Sequence, residues 1–94
     1  MSVAIIGGLD RLKMRYRRQG NRMGFKVKHF AQRVPGLGKR LSCVDGIVVF
    51  TGTVAHHMVE EAARTAKQYK IPIRWSHSSS VSGLKRSLAG LVSG

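Results

Sequence analysis

The sequence predicts a small doubly wound α/β domain, a four-stranded parallel sheet in order 2-1-3-4 with helices on both faces. Three observations carry this. Gly46 to Phe50 (GIVVF) is apolar or Gly at every position, without alternation, which predicts a strand covered on both faces. A tight Thr51-Gly52-Thr53 turn and an amphipathic helix follow it. That helix puts Ala55, Met58, Val59, Ala62, Ala66 and Tyr69 on one stripe, and His57, Glu60, Arg64, Lys67 and Gln68 on the other face. The same strand-turn-helix step then recurs along the chain, and right-handed crossovers place strands 1 and 3 centrally. At 94 residues and 43% hydrophobic content, the chain is expected to form one domain, 1–94, around a single modest core.

Val3 to Ile6, stopped by Gly7-Gly8, is the first strand. In the helix after it, Leu9, Leu12, Tyr16 and Met23 form the inward stripe, while Arg11, Arg15, Arg18 and Arg22 recur at i, i+4, i+7 and i+11 on another line. Gly20 is expected to end the regular part of this helix, with Gly24 just before the next element. Phe25 to Phe30 alternates Phe25, Val27 and His29 against Lys26, Lys28 and Phe30, a half-exposed strand whose lysines suit a sheet edge. Ala31 to Cys43 contains Pro35, Gly36 and Gly38 and reads as a loop followed by a short helix through Leu37 and Leu41. Ile71 to Trp75 is the fourth strand, and its early Pro72 requires a strand start or an edge. Ser76 to Ser80 then turns into a last helix with Val81, Leu84, Leu88 and Leu91 inward.

Charge is the second strong signal. Seventeen Lys and Arg against four Asp and Glu give a formal charge of +13, a single-sign field that repels itself and favours a polyanion nearby. Arg11, Lys13, Arg15, Arg17, Arg18 and Arg22 follow one another without an acid after Asp10. With Lys26, Lys28, Arg33, Lys39 and Arg40 they are candidates for a surface that tracks a nucleic-acid phosphate backbone. An acidic protein, a membrane surface, or plain solubility are the other uses of such a field. Tyr16, Phe30, Tyr69 and Trp75 read as core or edge packing, so little base readout is expected.

The turns after strands 1, 3 and 4 should converge on the carboxyl edge of the sheet, where open α/β sheets bind ligands. Gly7, Gly8, Thr51, Gly52, Thr53, Ser78 and Ser79, with His56 in the first turn of its helix, are candidate anion-binding residues there, because helix N-termini offer free N–H groups and glycines admit a phosphate. The plainer alternative is that Thr53 and one serine are N-caps and the glycines only turn the chain. The turn after strand 1 is neither a dinucleotide fingerprint nor a Walker loop. His29 and His77 lie at strand ends that could converge on the same edge.

Catalytic, metal and cofactor sets are not indicated. His56 and His57 point about 100° apart on a helix and cannot share a metal as an i, i+4 pair does. Asp10, Asp45, Glu60 and Glu61 are the only acids and fall at different ends of the fold, which argues against two-metal hydrolysis. No G-x-S-x-G elbow is present. Cys43, the single cysteine, is placed at the amino end of strand 3 and reads as structural; it suits a reducing cytoplasm. The first residues lack a basic leader and no apolar run approaches a membrane span, so a soluble intracellular protein is expected.

Gly7-Gly8, Tyr16, Gly24, His29, Asp45, Thr51, His56 and Ile71-Pro72 are the residues through which nearly the whole chain resembles a family of small uncharacterised bacterial and phage α/β domains, catalogued as a domain of unknown function. In that family an acid commonly follows the threonine and a serine precedes the histidine. Here these positions are Gly52 and Ala55, which leaves Thr51 and His56 as the parts of any shared site and weakens the case for acid-base catalysis. The resemblance implies a fold and no settled activity.

The expectation is therefore a non-enzymatic nucleic-acid-binding protein. A nucleotide or phosphoryl ligand at the carboxyl edge is the alternative, and the open sheet edges allow a homo-oligomer, with a dimer expected.

Overall fold

In the computed structural model, which describes residues 1–93 (the side chains of 1–92), the strands stand in the order β2-β1-β3-β4, all parallel. Their ranges are β1 Ser2–Ile6, β2 Lys26–Phe30, β3 Gly46–Phe50 and β4 Ile73–Ser76. The helices are α1 Lys13–Arg22, preceded by a 3-10 turn Asp10–Leu12, α2 Leu37–Leu41, α3 His56–Tyr69 and α4 Val81–Ser93. The predicted topology is the observed one.

Alternation along the central strands divides the core into two layers. Val3, Ile5, Val48 and Phe50 point to one face and meet Tyr16 of α1 with Leu84 and Leu88 of α4. Ala4, Ile6, Ile47 and Val49 point to the other and meet Leu37 and Leu41 of α2 with Met58, Ala62 and Ala66 of α3. Every residue of β3 is buried, which is why its sequence shows no alternation. The two edge strands carry the polar residues.

Gly20 departs from expectation. It is buried inside α1, which continues to Arg22. Its lack of a side chain lets the helix lie on β2, because a methyl at this position would collide with Val27 Cγ2. Gly24, with φ of 85°, turns the chain after the helix.

The stripe of α3 is also shifted. Ala55 and Tyr69 are exposed, and Thr65 is buried in their stead. Tyr69 is the last residue of the helix, which ends as Lys70 adopts a left-handed conformation (φ 55°). Ile71 then folds back, donating its N–H to Ala66 O at 2.8 Å, and is buried. β4 consequently begins at Ile73, leaving Pro72 just before the strand, where its missing N–H is not needed and its carbonyl accepts the Ile47 N–H at 2.9 Å.

Gly20→Ala, which in an exposed helix would stabilise, should here cost about 1–3 kcal/mol through overpacking. Urea unfolding measures it. The double variant with Val27→Ala should recover part of the loss if the collision with Val27 is its cause.

Candidate functional site

The turns that follow β1 and β3 and the segment leading into α4 do meet at the carboxyl edge of the sheet. Gly7 and Gly8 both take positive φ (88° and 86°), and a methyl on Gly7 would press on Val54 Cβ and Phe50 O. This tight path aims the Gly8 N–H at Thr53 Oγ1 (2.8 Å), and the Thr53 hydroxyl shares a second hydrogen bond with Ser79 Oγ (2.7 Å). Leu9 N–H donates to the Tyr16 hydroxyl (3.1 Å), which donates in turn to Ser79 O (2.6 Å). Gly7 N–H is bonded to Phe30 O (2.9 Å) and Thr51 N–H to Ser76 O (2.9 Å). Gly52 lies close against His77 O.

Groups assigned from sequence to an anion are thus bonded to one another. Thr53 bridges the turns and does not cap α3, whose N-cap Ala55 has no side-chain cap bond. Ser80 takes the Gly83 N–H at 3.0 Å at the start of α4, and Ser78 Oγ donates to Ser80 Oγ at 2.9 Å. His56 stands outside this network, paired with Glu60 at 3.0 Å on the exposed face of α3.

His29 enters the network from β2. Its Nε2 lies 2.7 Å from Gly7 O, and since a carbonyl only accepts, Nε2 carries the proton in the neutral ring. Tyr16 meets the imidazole edge-on, with centroids 5.1 Å apart. Burial lowers the affinity of this ring for a second proton, and the nearby charges of Lys13 and Arg17 act in the same sense, against the Gly7 carbonyl and Asp10, which raise it.

The cations are distributed over three elements. Arg11, Lys13, Arg15, Arg17, Arg18 and Arg22 surround the 3-10 turn and α1, and all six are exposed. Arg15, Arg18 and Arg22 line one groove with Gln19 and Val81 at the start of α4. Around the open edge of β2, Arg17 of α1 and Arg40 of α2 share a cleft with Lys28 and Cys43. Lys26 lies exposed on β2, and Lys39 belongs to α2. Cys43, read as structural, is in fact exposed, and Lys28 Nζ lies 3.6 Å from its sulfur.

Arg33 is the exception. It lines a separate cleft with Glu60, Glu61 and Arg64, where both signs are present. Among the described residues, the only basic and acidic side chains within 4.0 Å of each other are His56 and Glu60, so the cations of α1, β2 and α2 have no carboxylate partner at that distance. Arg74, Lys85 and Arg86 of β4 and α4 did not stand out in the sequence, because each lies outside a long charge run; Arg74 is held against α4 by a bond to Gly90 O at 3.1 Å.

A family model described as an uncharacterized protein conserved in bacteria (DUF2325) matches residues 2–91. The chain belongs to this family. No curated protein and no solved structure compared with it gave a match. No described helix is long and apolar enough to cross a membrane. Of the residues through which the chain resembles its family, Gly7, Gly8, Tyr16 and His29 lie together in the hydrogen-bonded edge, whereas His56 lies apart from it. Asp45 has a structural part, accepting the Ser2 N–H on Oδ2 at 2.6 Å at the start of the sheet.

Because the folded state lowers the proton affinity of His29 from its ordinary value of 6.5, the unfolded chain binds more protons just below that pH. Stability should therefore be full above about pH 6.5 and fall as pH drops into the range between the unfolded and folded values, levelling off below both. Thermal unfolding between pH 7 and pH 5 checks this. His29→Gln should flatten that part of the profile.

Proposed function

We propose that this protein is a non-enzymatic nucleic-acid-binding module of the bacterial cytoplasm, gripping the phosphate backbone with little sequence readout. One observation carries the reading: cations of α1, β2 and α2 border one another around the β2 edge and the α1 face with no carboxylate within 4.0 Å of them among the described residues. An exposed surface kept only for solubility normally mixes both signs, as the Arg33 cleft does with Glu60 and Glu61. Guanidinium groups bond phosphate oxygens in pairs, and each cation brought to the backbone releases a condensed counterion. The carboxyl edge of the sheet supports a bound nucleotide less well, since the Gly8 N–H and the Thr53 and Ser79 hydroxyls already satisfy one another.

Fluorescence anisotropy with a labelled duplex should show log K falling linearly with log salt. Replacing Arg15, Arg18 and Arg22 together by Ala should reduce the magnitude of that slope by about 2–3, roughly one for each phosphate that the variant no longer neutralises. Arg33→Ala should leave it nearly unchanged. No binding at low salt would remove the proposal.

A further inference from the structure

The open edge of β2 carries more than charge. β2 is bonded on one side only, to β1. Successive residues of a strand turn their N–H and C=O alternately toward one neighbour and the other. Lys26 N–H bonds Met1 O at 2.7 Å and Phe30 O accepts the Gly7 N–H at 2.9 Å, so Lys26, Lys28 and Phe30 address β1. Val27 and His29 therefore turn their main-chain groups outward. The Val27 carbonyl and the His29 N–H stand side by side on the open edge, an acceptor next to a donor.

These groups open into the cleft of about 340 Å³ that Arg17, Lys28, Arg40 and Cys43 border, within the size range of small-ligand pockets. Arg17 approaches from α1, which packs on one face of the sheet, and Arg40 from α2, which packs on the other. A flat group lying in the plane of the sheet would thus have a guanidinium available above and below it.

We infer that this cleft takes one unpaired base of a single-stranded nucleic acid. The Watson–Crick edge of every base presents a donor beside an acceptor, the complement of the Val27 carbonyl and His29 N–H, and Arg planes stack on base faces. In a duplex those edges are already paired, so the cleft selects the single strand. An added peptide strand would use the same two main-chain groups, but Lys26 and Lys28 guard the edge against strand pairing. The inference rests on the nucleic-acid reading above and deepens it by naming the form of nucleic acid and the residues that would hold a base.

The test compares three oligonucleotides of equal length at one salt concentration with the full chain: a single strand, the same strand made abasic, and a duplex. The intact strand should bind at least about tenfold more tightly than the abasic one, the low end of what stacking a base contributes. The variant R17K/R40K keeps the charge and removes the planar groups. It should lower single-strand affinity about tenfold more than it lowers abasic or duplex binding. Equal binding of intact and abasic strands, or no selective effect of R17K/R40K, overturns the base site while leaving backbone binding in place. Failure of all three to bind at low salt overturns both. Binding of an acidic peptide that R17K/R40K weakens, with strands that do not discriminate, would assign the cleft to strand addition and overturn the base site.

Discussion

The constraint on which this molecule depends is that a parallel sheet must be covered on both faces, and a chain of 94 residues has to do it with four short strands and four helices. β1 and β3 meet the requirement by being apolar on both sides, so that Val48 and Val49, neighbours in sequence, belong to different core layers. Covering both faces forces the chain to cross over after each strand. The crossovers bring all the strand-to-helix turns to one edge of the sheet and leave β2 and β4 as open flanks. Each functional possibility of the domain is a consequence of where those crossovers go.

Architectures of this kind commonly hold ligands at the carboxyl edge, between strands of opposite crossover direction. In this protein that position is bridged by its own side chains: Tyr16 reaches from α1 to Ser79, and Thr53 joins the turns after β1 and β3. The cations of α1, β2 and α2, by contrast, sit on helix faces and on the β2 flank, with no carboxylate within 4.0 Å among the described residues. The edge is occupied with holding the fold together, whereas the β2 flank keeps unpaired main-chain groups at the border of the sheet.

Much of the fold was legible in the sequence because burial writes directly into residue order. The run GIVVF and the Leu84-Leu88 spacing can be read without coordinates, and so can the lysines that mark β2 as an edge. What was not legible depended on contacts between distant segments. Gly20 looked like a helix terminator, and only the approach of Val27 shows it to be a packing residue. Tyr69 fitted the periodicity of α3, yet it is the last residue before the left-handed turn at Lys70, a position where Gly would be usual, and it is exposed. The convergence of the turns could be foreseen from topology, but not that Thr53 and Tyr16 would consume their donors. Arg33 was grouped with the other cations by proximity in sequence, whereas the loop before α2 carries it toward the carboxylates of α3.

The bond from the Tyr16 hydroxyl to Ser79 O spans 63 residues and ties α1 to the segment that leads into α4. Such a contact cannot form until β3, α3 and β4 exist, since loop closure over that separation is rewarded only when the intervening elements are in place. During synthesis the arginine helix therefore emerges well before its scaffold is complete. For that interval the nascent polypeptide displays a concentrated positive charge beside the ribosome, itself a mass of anionic RNA, and the late closure of Tyr16 onto Ser79 separates this exposed precursor from the folded domain.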